Sequence, residues 1–81
     1  MKIKVKFFAS FREAVGKSEV DVDIKEKTDI SRLLEILKTE HPELGKLIEP
    51  VIVSVNREYA TYDTILKDGD EVAILPPVSG G

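Results

Sequence analysis

Residues 2–8 read Lys-Ile-Lys-Val-Lys-Phe-Phe, in which lysines and apolar residues alternate until the final phenylalanine. A period of two places Ile3, Val5 and Phe7 on one face of a β-strand and the lysines on the other. Residues 19–24 alternate in the same way, with acidic residues between the aliphatic ones. Because lysines and acids pair across neighbouring strands, the two segments are predicted to be antiparallel neighbours that share a solvent-facing side.

An amphipathic helix is predicted after the second strand. Thr28 is the candidate N-cap, since its hydroxyl can accept a hydrogen bond from the first helical turn. Apolar residues then recur with helical spacing at Ile30, Leu33, Leu34 and Leu37. His41-Pro42 ends the pattern, because proline has no amide hydrogen to donate. The apolar stripe must be buried, so this helix is expected to lie across one face of the sheet.

The other predicted elements are short. They comprise a helical turn over 10–16 that ends at glycine, a further turn within 42–48, and strands near 51–55, 58–62 and 71–75. This order predicts an α+β fold in which a mixed five-stranded sheet carries one main helix, with the last strand parallel to the first at the centre. It is the ubiquitin-like β-grasp layout, here over residues 1–75, followed by an extended tail over 76–81.

Composition excludes several classes of function. The chain has 81 residues, no cysteine and one histidine, His41, which excludes a thiol nucleophile, a cysteine-ligated metal and a multi-histidine metal site. The formal net charge of −3 has the wrong sign for binding nucleic-acid phosphates. No stretch approaches the roughly 20 apolar residues of a membrane span, and the first residues lack a signal-peptide core, so a cytoplasmic protein is predicted.

Two polar features are expected to be structural. Residues 68–71 read Asp-Gly-Asp-Glu, but they lack the ligand spacing of a calcium-binding loop and are predicted to form a turn. His41 is predicted to be exposed at the end of the helix. Charge is unevenly distributed, with +1 over residues 1–48 and −4 over residues 49–81, so the carboxyl-terminal half favours a basic partner.

Two residues break the strand patterns. The solvent-facing phase of the first strand continues with Phe8, and that of the last strand ends with Leu75. Parallel pairing of these strands would place the two side chains next to each other, close to where the tail begins. An exposed apolar pair predicts a surface for a partner protein. The alternative is that the pair packs against a loop or a helix end of its own chain.

The tail, Pro76-Pro77-Val78-Ser79-Gly80-Gly81, is the most informative segment. The prolines hold the backbone extended, and glycines have no β-carbon to block entry into a narrow channel of another protein. There the carboxylate of Gly81 can be activated as an acyl group. The chain has no phosphate-binding glycine loop with lysine, so activation is expected from a partner enzyme, by adenylation.

Several motifs together resemble the small subunit of molybdopterin synthase, the MoaD family. They are Phe7-Phe8-Ala9, Arg12-Glu13, Val55-Asn56, Asp63, Leu66, Asp68-Gly69-Asp70-Glu71-Val72-Ala73 and the tail from Pro76 to Gly81. The resemblance covers essentially the whole chain, and the last twenty residues are its most specific part.

The resemblance implies a sulfur carrier without catalytic activity of its own. Gly81 would be adenylated by an E1-like, MoeB-like enzyme that uses ATP, and a sulfur donor would convert it to a thiocarboxylate. The tail, with Gly80 beside the reactive group, would then enter the active site of the large subunit, MoaE, and supply sulfur to the molybdenum cofactor precursor. The chain itself would bind no cofactor or metal.

The resemblance also implies where partners bind. The large subunit would form a heterotetramer with this chain, contacting the tail and three apolar docking positions. Those positions are Phe8, Leu75 and Tyr59, the last of which is more often aliphatic in the family; the tail contacts are Pro76, Pro77, Val78 and Ser79.

Three other functions share the same features. A sulfur carrier of the same fold could serve thiamine synthesis or tRNA thiolation. A ubiquitin-like modifier would use the same adenylate but join Gly81 to a lysine of a target protein. A β-grasp interaction domain with an incidental Gly-Gly end is the third. The Pro-Pro-Val-Ser spacer and the Asp-Gly-Asp-Glu-Val segment favour the molybdenum pathway.

Overall fold

The computed structural model describes residues 1–46 and 51–76. Predictions for Pro77 to Gly81 and for residues 47–50 therefore lie outside the described residues. The elements, in chain order, are β1 (Lys2–Phe7), α1 (Ala9–Val15), β2 (Glu19–Asp23), α2 (Ile30–Glu40), a 3₁₀ helix (Pro42–Lys46), β3 (Ile52–Val55), β4 (Glu58–Ala60) and β5 (Glu71–Leu75).

The five strands form one mixed sheet in the order β2-β1-β5-β3-β4. β1 is antiparallel to β2 and parallel to β5, as predicted from the alternating segments and the long helical connection. β3 is antiparallel to both β5 and β4. The β-grasp prediction is confirmed, and it places the end of β5 beside the end of β1.

The core lies between the sheet and α2. The apolar stripe predicted for the helix is buried in full, at Ile30, Leu33, Leu34 and Leu37. These side chains join one hydrophobic cluster with the inward residues of β1, which are at most 1% exposed. Phe11 of α1 and Leu44 of the 3₁₀ helix complete the same cluster. Because the inner face carries the core, the opposite face of the sheet is left for solvent or a partner.

The N-cap of α2 is Asp29 rather than the predicted Thr28. The Asp29 Oδ1 accepts a hydrogen bond from the backbone N–H of Arg32 at 2.8 Å. The Thr28 hydroxyl donates to the carbonyl of Lys25 at 2.6 Å and is buried. Thr28 therefore closes the preceding turn, and the helix begins one residue later.

Replacing Asp29 with alanine is expected to lower the free energy of unfolding by about 1 kcal/mol, because an amide of the first helical turn loses its acceptor. Urea unfolding followed by circular dichroism measures this change. Asp29→Asn is the matched control and should keep most of the stability, since its side-chain oxygen can also accept. Equal stability of Asp29→Ala and the wild type would contradict the assignment of this cap.

The outer face of the sheet is charged at its β2–β1 side. Lys4 Nζ lies 3.3 Å from Glu19 Oε2 of β2, so the cross-strand pairing predicted for β1 and β2 is present. Lys6 Nζ lies 3.4 Å from Glu71 Oε1 of β5, a pair that was not predicted. These pairs are partly exposed and contribute little stability. None of the helices in the described part of the chain has the length and apolar surface that a membrane span requires.

β4 is shorter than the predicted segment 58–62. It ends at Ala60 because the following residues form a turn, in which the Thr64 hydroxyl accepts from the N–H of Thr61 and the Thr64 N–H donates to the Thr61 carbonyl, each at 3.1 Å. Tyr62 lies in that turn, and its hydroxyl is 3.4 Å from the N–H of Val51, which donates to it. The hydrogen bonds within this turn thus take the place of further backbone pairing between β4 and β3.

Candidate docking face

Phe8 faces outward although its neighbour is in the core. Phe8 is 42% exposed and Phe7 is 1% exposed. The backbone of Phe8 is still extended, at φ −129° and ψ 155°, where it caps the start of α1. The alternation of β1 therefore continues for one residue past the strand and turns a large aromatic side chain to the solvent side, as the sequence predicts.

Leu75 lies on the same face as Phe8. The parallel register of β1 and β5 pairs Phe7 with Ile74, and one further step aligns Phe8 with Leu75. Val72 and Ile74 are fully buried, so the alternate residues of β5 point outward, and Leu75 is half-buried there. The structure thus brings together the two residues that break the strand patterns, on the face opposite α2.

Ile52 extends this pair, and sequence reasoning missed it. The antiparallel register of β3 and β5 places Ile52 directly opposite Leu75. Val53 is buried on the inner face, so Ile52 points outward, where it is half-buried. The valines Val51, Val53 and Val55 alternate along this segment and leave Ile52 on the other phase, but only the register places Ile52 beside Leu75. We call Phe8, Leu75 and Ile52 the apolar row.

Tyr59 belongs to the adjacent row of the same face. It lies on β4 opposite Ser54, and Ser54 lies opposite Ala73 of β5. The Tyr59 side chain is 87% exposed, the most accessible of the large apolar residues described. Its row lies two residues along the strands from the apolar row, so a partner that covers the apolar row can also contact the tyrosine.

The last strand ends at the apolar row, where the tail begins in the sequence. β5 ends at Leu75, and Pro76 follows half-buried and outside the strand. A proline here cannot extend the ladder with an amide hydrogen. The predicted site residues Pro77, Val78, Ser79, Gly80 and Gly81 lie outside the described residues. The apolar row is therefore the described surface nearest in sequence to the predicted reactive end.

The acidic segment before β5 holds turns, as predicted. Asp68 Oδ1 accepts from the N–H of Lys2 at 2.8 Å, and Asp70 Oδ2 accepts from the N–H of Lys67 at 2.8 Å. Asp70 Oδ1 also accepts from the Asn56 side-chain amide at 3.0 Å. These carboxylates fix the entry into β5 against β1 and the β3–β4 turn, and so set the register that forms the apolar row.

His41 differs from its prediction, because it is partly buried. Its ring meets the ring of Phe7 edge-on, with centroids 6.2 Å apart and planes at 75°. Its Nδ1 is 3.7 Å from Glu43 Oε1. The 3₁₀ helix continues directly from α2, and the histidine is thereby turned onto the core phenylalanine instead of into solvent. This packing role places His41 on the opposite side of the sheet from the apolar row.

Known proteins match the chain over nearly its whole length. The sequence profile of the ThiS family matches residues 5–81. The molybdopterin synthase sulfur carrier subunit of Chlamydomonas reinhardtii is 39% identical over 83 residues, which cover 100% of both chains. The structure of SAMP1 from Haloferax volcanii superposes with a TM-score of 0.87 and 30% identity, again over 100% of both chains.

A further solved structure contains a protein partner. It is the complex of subunits 1 and 2 of the molybdopterin-converting factor from Helicobacter pylori, in which one chain matches with a TM-score of 0.72 and 28% identity over 100% of both chains.

Proposed function

We propose that this chain, which belongs to the ThiS family, is a sulfur carrier for molybdenum cofactor biosynthesis. The observation that carries the proposal is the full-length match to a molybdopterin synthase sulfur carrier subunit. The structure adds an outward apolar row where the Gly-Gly tail begins, which suits a chain that is held by partners while its end reacts. The resemblance seen in the sequence motifs is thus borne out at the level of the family.

The proposed chemistry takes place at the carboxylate of Gly81. An activating enzyme joins this carboxylate to the AMP part of ATP, with release of pyrophosphate. The sulfur of a sulfide or persulfide donor then attacks the acyl carbon, and AMP leaves. Sulfide gives the thiocarboxylate directly, whereas a persulfide gives an acyl disulfide, which a thiol reductant must cleave to leave the thiocarboxylate on the chain. The sequence has no cysteine, so the sulfur is carried on the chain end and not on a side chain.

The proposed partner is the large subunit of molybdopterin synthase, into whose active site the tail delivers sulfur. The complex of the Helicobacter pylori relative supports a partner of this kind. On the domain, the large subunit would contact Phe8, Leu75, Tyr59 and Pro76. Beyond the domain, it would contact the tail residues from Pro77 to Gly80. A heterotetramer, a MoeB-like activating enzyme and a cytoplasmic location are parts of the same proposal.

Mass spectrometry of the protein isolated from its native host tests this function. The expected result is a carboxyl-terminal peptide whose mass shows exchange of one oxygen for sulfur, with every other peptide unchanged. Treatment with an alkylating reagent should label that peptide alone, because the chain has no cysteine thiol. Only unmodified carboxylate, in cells that are making molybdenum cofactor, would count against the proposal.

A modifier function is the second candidate, supported by the match to SAMP1, the small archaeal modifier protein 1 of Haloferax volcanii. Both functions begin with the same acyl-adenylate and differ in the nucleophile that attacks it. Peptides in which Gly81 is joined to lysines of other proteins, found in the same isolation, would favour the modifier. Sulfur carriage for thiamine synthesis or tRNA thiolation would give the same thiocarboxylate but would not depend on the large subunit.

A further inference from the structure

A small cavity opens beside the apolar row, at the end of β1. It has a volume of about 200 Å³ and lies between the end of β1, α1 and the start of β2. Its lining consists of Lys6, Phe7, Phe8, Arg12, Ser18 and Glu19. Phe8 therefore belongs to both features, since it ends the apolar row and forms an apolar wall of the cavity.

Among the described residues, the charges around the cavity are paired except at one position. Lys6 lies 3.4 Å from Glu71, and Glu19 lies 3.3 Å from Lys4. Arg12 is exposed, and its guanidinium makes no hydrogen bond or ion pair with any residue of 1–46 or 51–76. The cavity thus combines an apolar wall with one guanidinium group. The five N–H donors of this group have no acceptor among the described residues.

The position of Arg12 is set by rigid neighbours. It lines the same cavity as Phe8, the extended residue that precedes α1. Phe11, next to it in α1, is fully buried in the core. The helix ends at Gly16, whose φ of 81° is left-handed and whose N–H donates to the Arg12 carbonyl at 2.8 Å. The backbone that carries the guanidinium is therefore fixed at both ends.

We propose that this cavity receives a carboxylate of the large subunit, an Asp or Glu side chain, which pairs with Arg12 when the large subunit covers the apolar row. Arginine suits this task because its planar group binds a carboxylate with two parallel hydrogen bonds. Docking on Phe8 excludes water from the cavity and strengthens the pair. The inference rests on the proposed function. It adds that the large subunit must present an apolar surface to the apolar row and, next to that surface, an acidic side chain to Arg12.

The test is a binding measurement by calorimetry with the large subunit of the same organism, using Arg12→Glu, Arg12→Ala and Arg12→Lys. Losing one side of a covered charge pair weakens binding at least about tenfold, so Arg12→Ala should lose that much and Arg12→Glu more. Arg12→Lys should recover part of the affinity. Raising the salt concentration should weaken the wild type more than Arg12→Ala.

Lys25→Glu is the matched control, because it makes the same charge reversal at an exposed site near the opposite end of β1. Its affinity should stay within about twofold of the wild type, since a distant exposed charge is screened by salt. Wild-type affinity in all three Arg12 variants would overturn the inference. The inference would also be overturned if the Arg12 variants bound the large subunit normally but were not thiocarboxylated, because the carboxylate that pairs with Arg12 would then belong to the activating enzyme.

Failure of this inference is distinguishable from failure of the proposed function. If the wild type carries the thiocarboxylate and binds the large subunit while Arg12→Glu binds equally well, only the inference is wrong. If the wild type does not bind the large subunit, the proposed function is wrong as well. Thermal unfolding of each variant shows that it is folded, and Arg12→Ala alone suffices if Arg12→Glu does not fold.

Discussion

Deleting Gly81 is expected to abolish cofactor synthesis while the domain stays folded. The deletion moves the terminal carboxylate back by one residue, so the activating enzyme and the large subunit no longer receive it in place. Misplacing a reacting group by even a fraction of a residue length costs about a hundredfold or more in rate. The buried core among the described residues runs from Ile3 to Ile74, and the deletion removes none of it.

Complementation of a host lacking the gene measures the loss of function, and a thermal melt of the purified variant measures folding. Glu26→Gln serves as the control, because it changes an exposed loop residue near the start of β1, at the end of the strand opposite to Phe8. The control should complement fully, and all three proteins should melt within about 2 °C of one another, since exposed changes of this kind cost little. Normal cofactor synthesis by the deletion variant would show that the reactive group is elsewhere.

Phe7→Ala is expected to lower the stability of the domain, whereas Phe8→Ala is expected to weaken binding to the large subunit, although the two residues are adjacent. Phe7→Ala removes a core ring that is 1% exposed and should lower the free energy of unfolding by about 3–5 kcal/mol. Phe8→Ala removes an outward ring, so stability should change by about 1 kcal/mol or less. Its binding to the large subunit should fall at least about tenfold, because aromatic residues at the centre of a docking surface carry much of the affinity.

Urea unfolding measures the first effect and calorimetric titration with the large subunit measures the second. Phe8→Lys extends the series, since it places a charge in the apolar row and should weaken binding further without unfolding the domain. If Phe8→Ala is destabilised as much as Phe7→Ala, Phe8 is a core residue and its assignment to the docking face is wrong. Full binding by a folded Phe8→Lys would remove it from the docking face.

Most of the fold could be predicted from local patterns in the sequence. The two alternating segments became β1 and β2 with the expected antiparallel pairing, and the four residues of the helical stripe are all buried. Two errors lie where side-chain hydrogen bonds compete. The hydroxyl of Thr28 bonds back to Lys25 and leaves the cap to Asp29, and Thr64 ends β4 early through the Thr61 backbone.

The candidate docking site was only partly predictable. Phe8 and Leu75 stood out because each is a large apolar residue on a strand phase that is otherwise polar or small. Ile52 did not, because it lies within the apolar run Val51-Ile52-Val53, in which its outward direction shows no contrast. Arg12 was noted as part of a motif, but its relation to Phe8 and the cavity appears only once α1 has been packed against the sheet.

The sequence by itself determined which side chains of β1 and α2 enter the core, because a strand or helix carries its two faces in its own periodicity. It also excluded cysteine chemistry, because the chain has no cysteine. Only the tertiary structure decided which outward residues are neighbours. Phe8, Leu75 and Ile52 are separated along the chain, and they meet because the β1–β5 and β3–β5 registers align them. Register depends on contacts between strands, and no single strand contains that information.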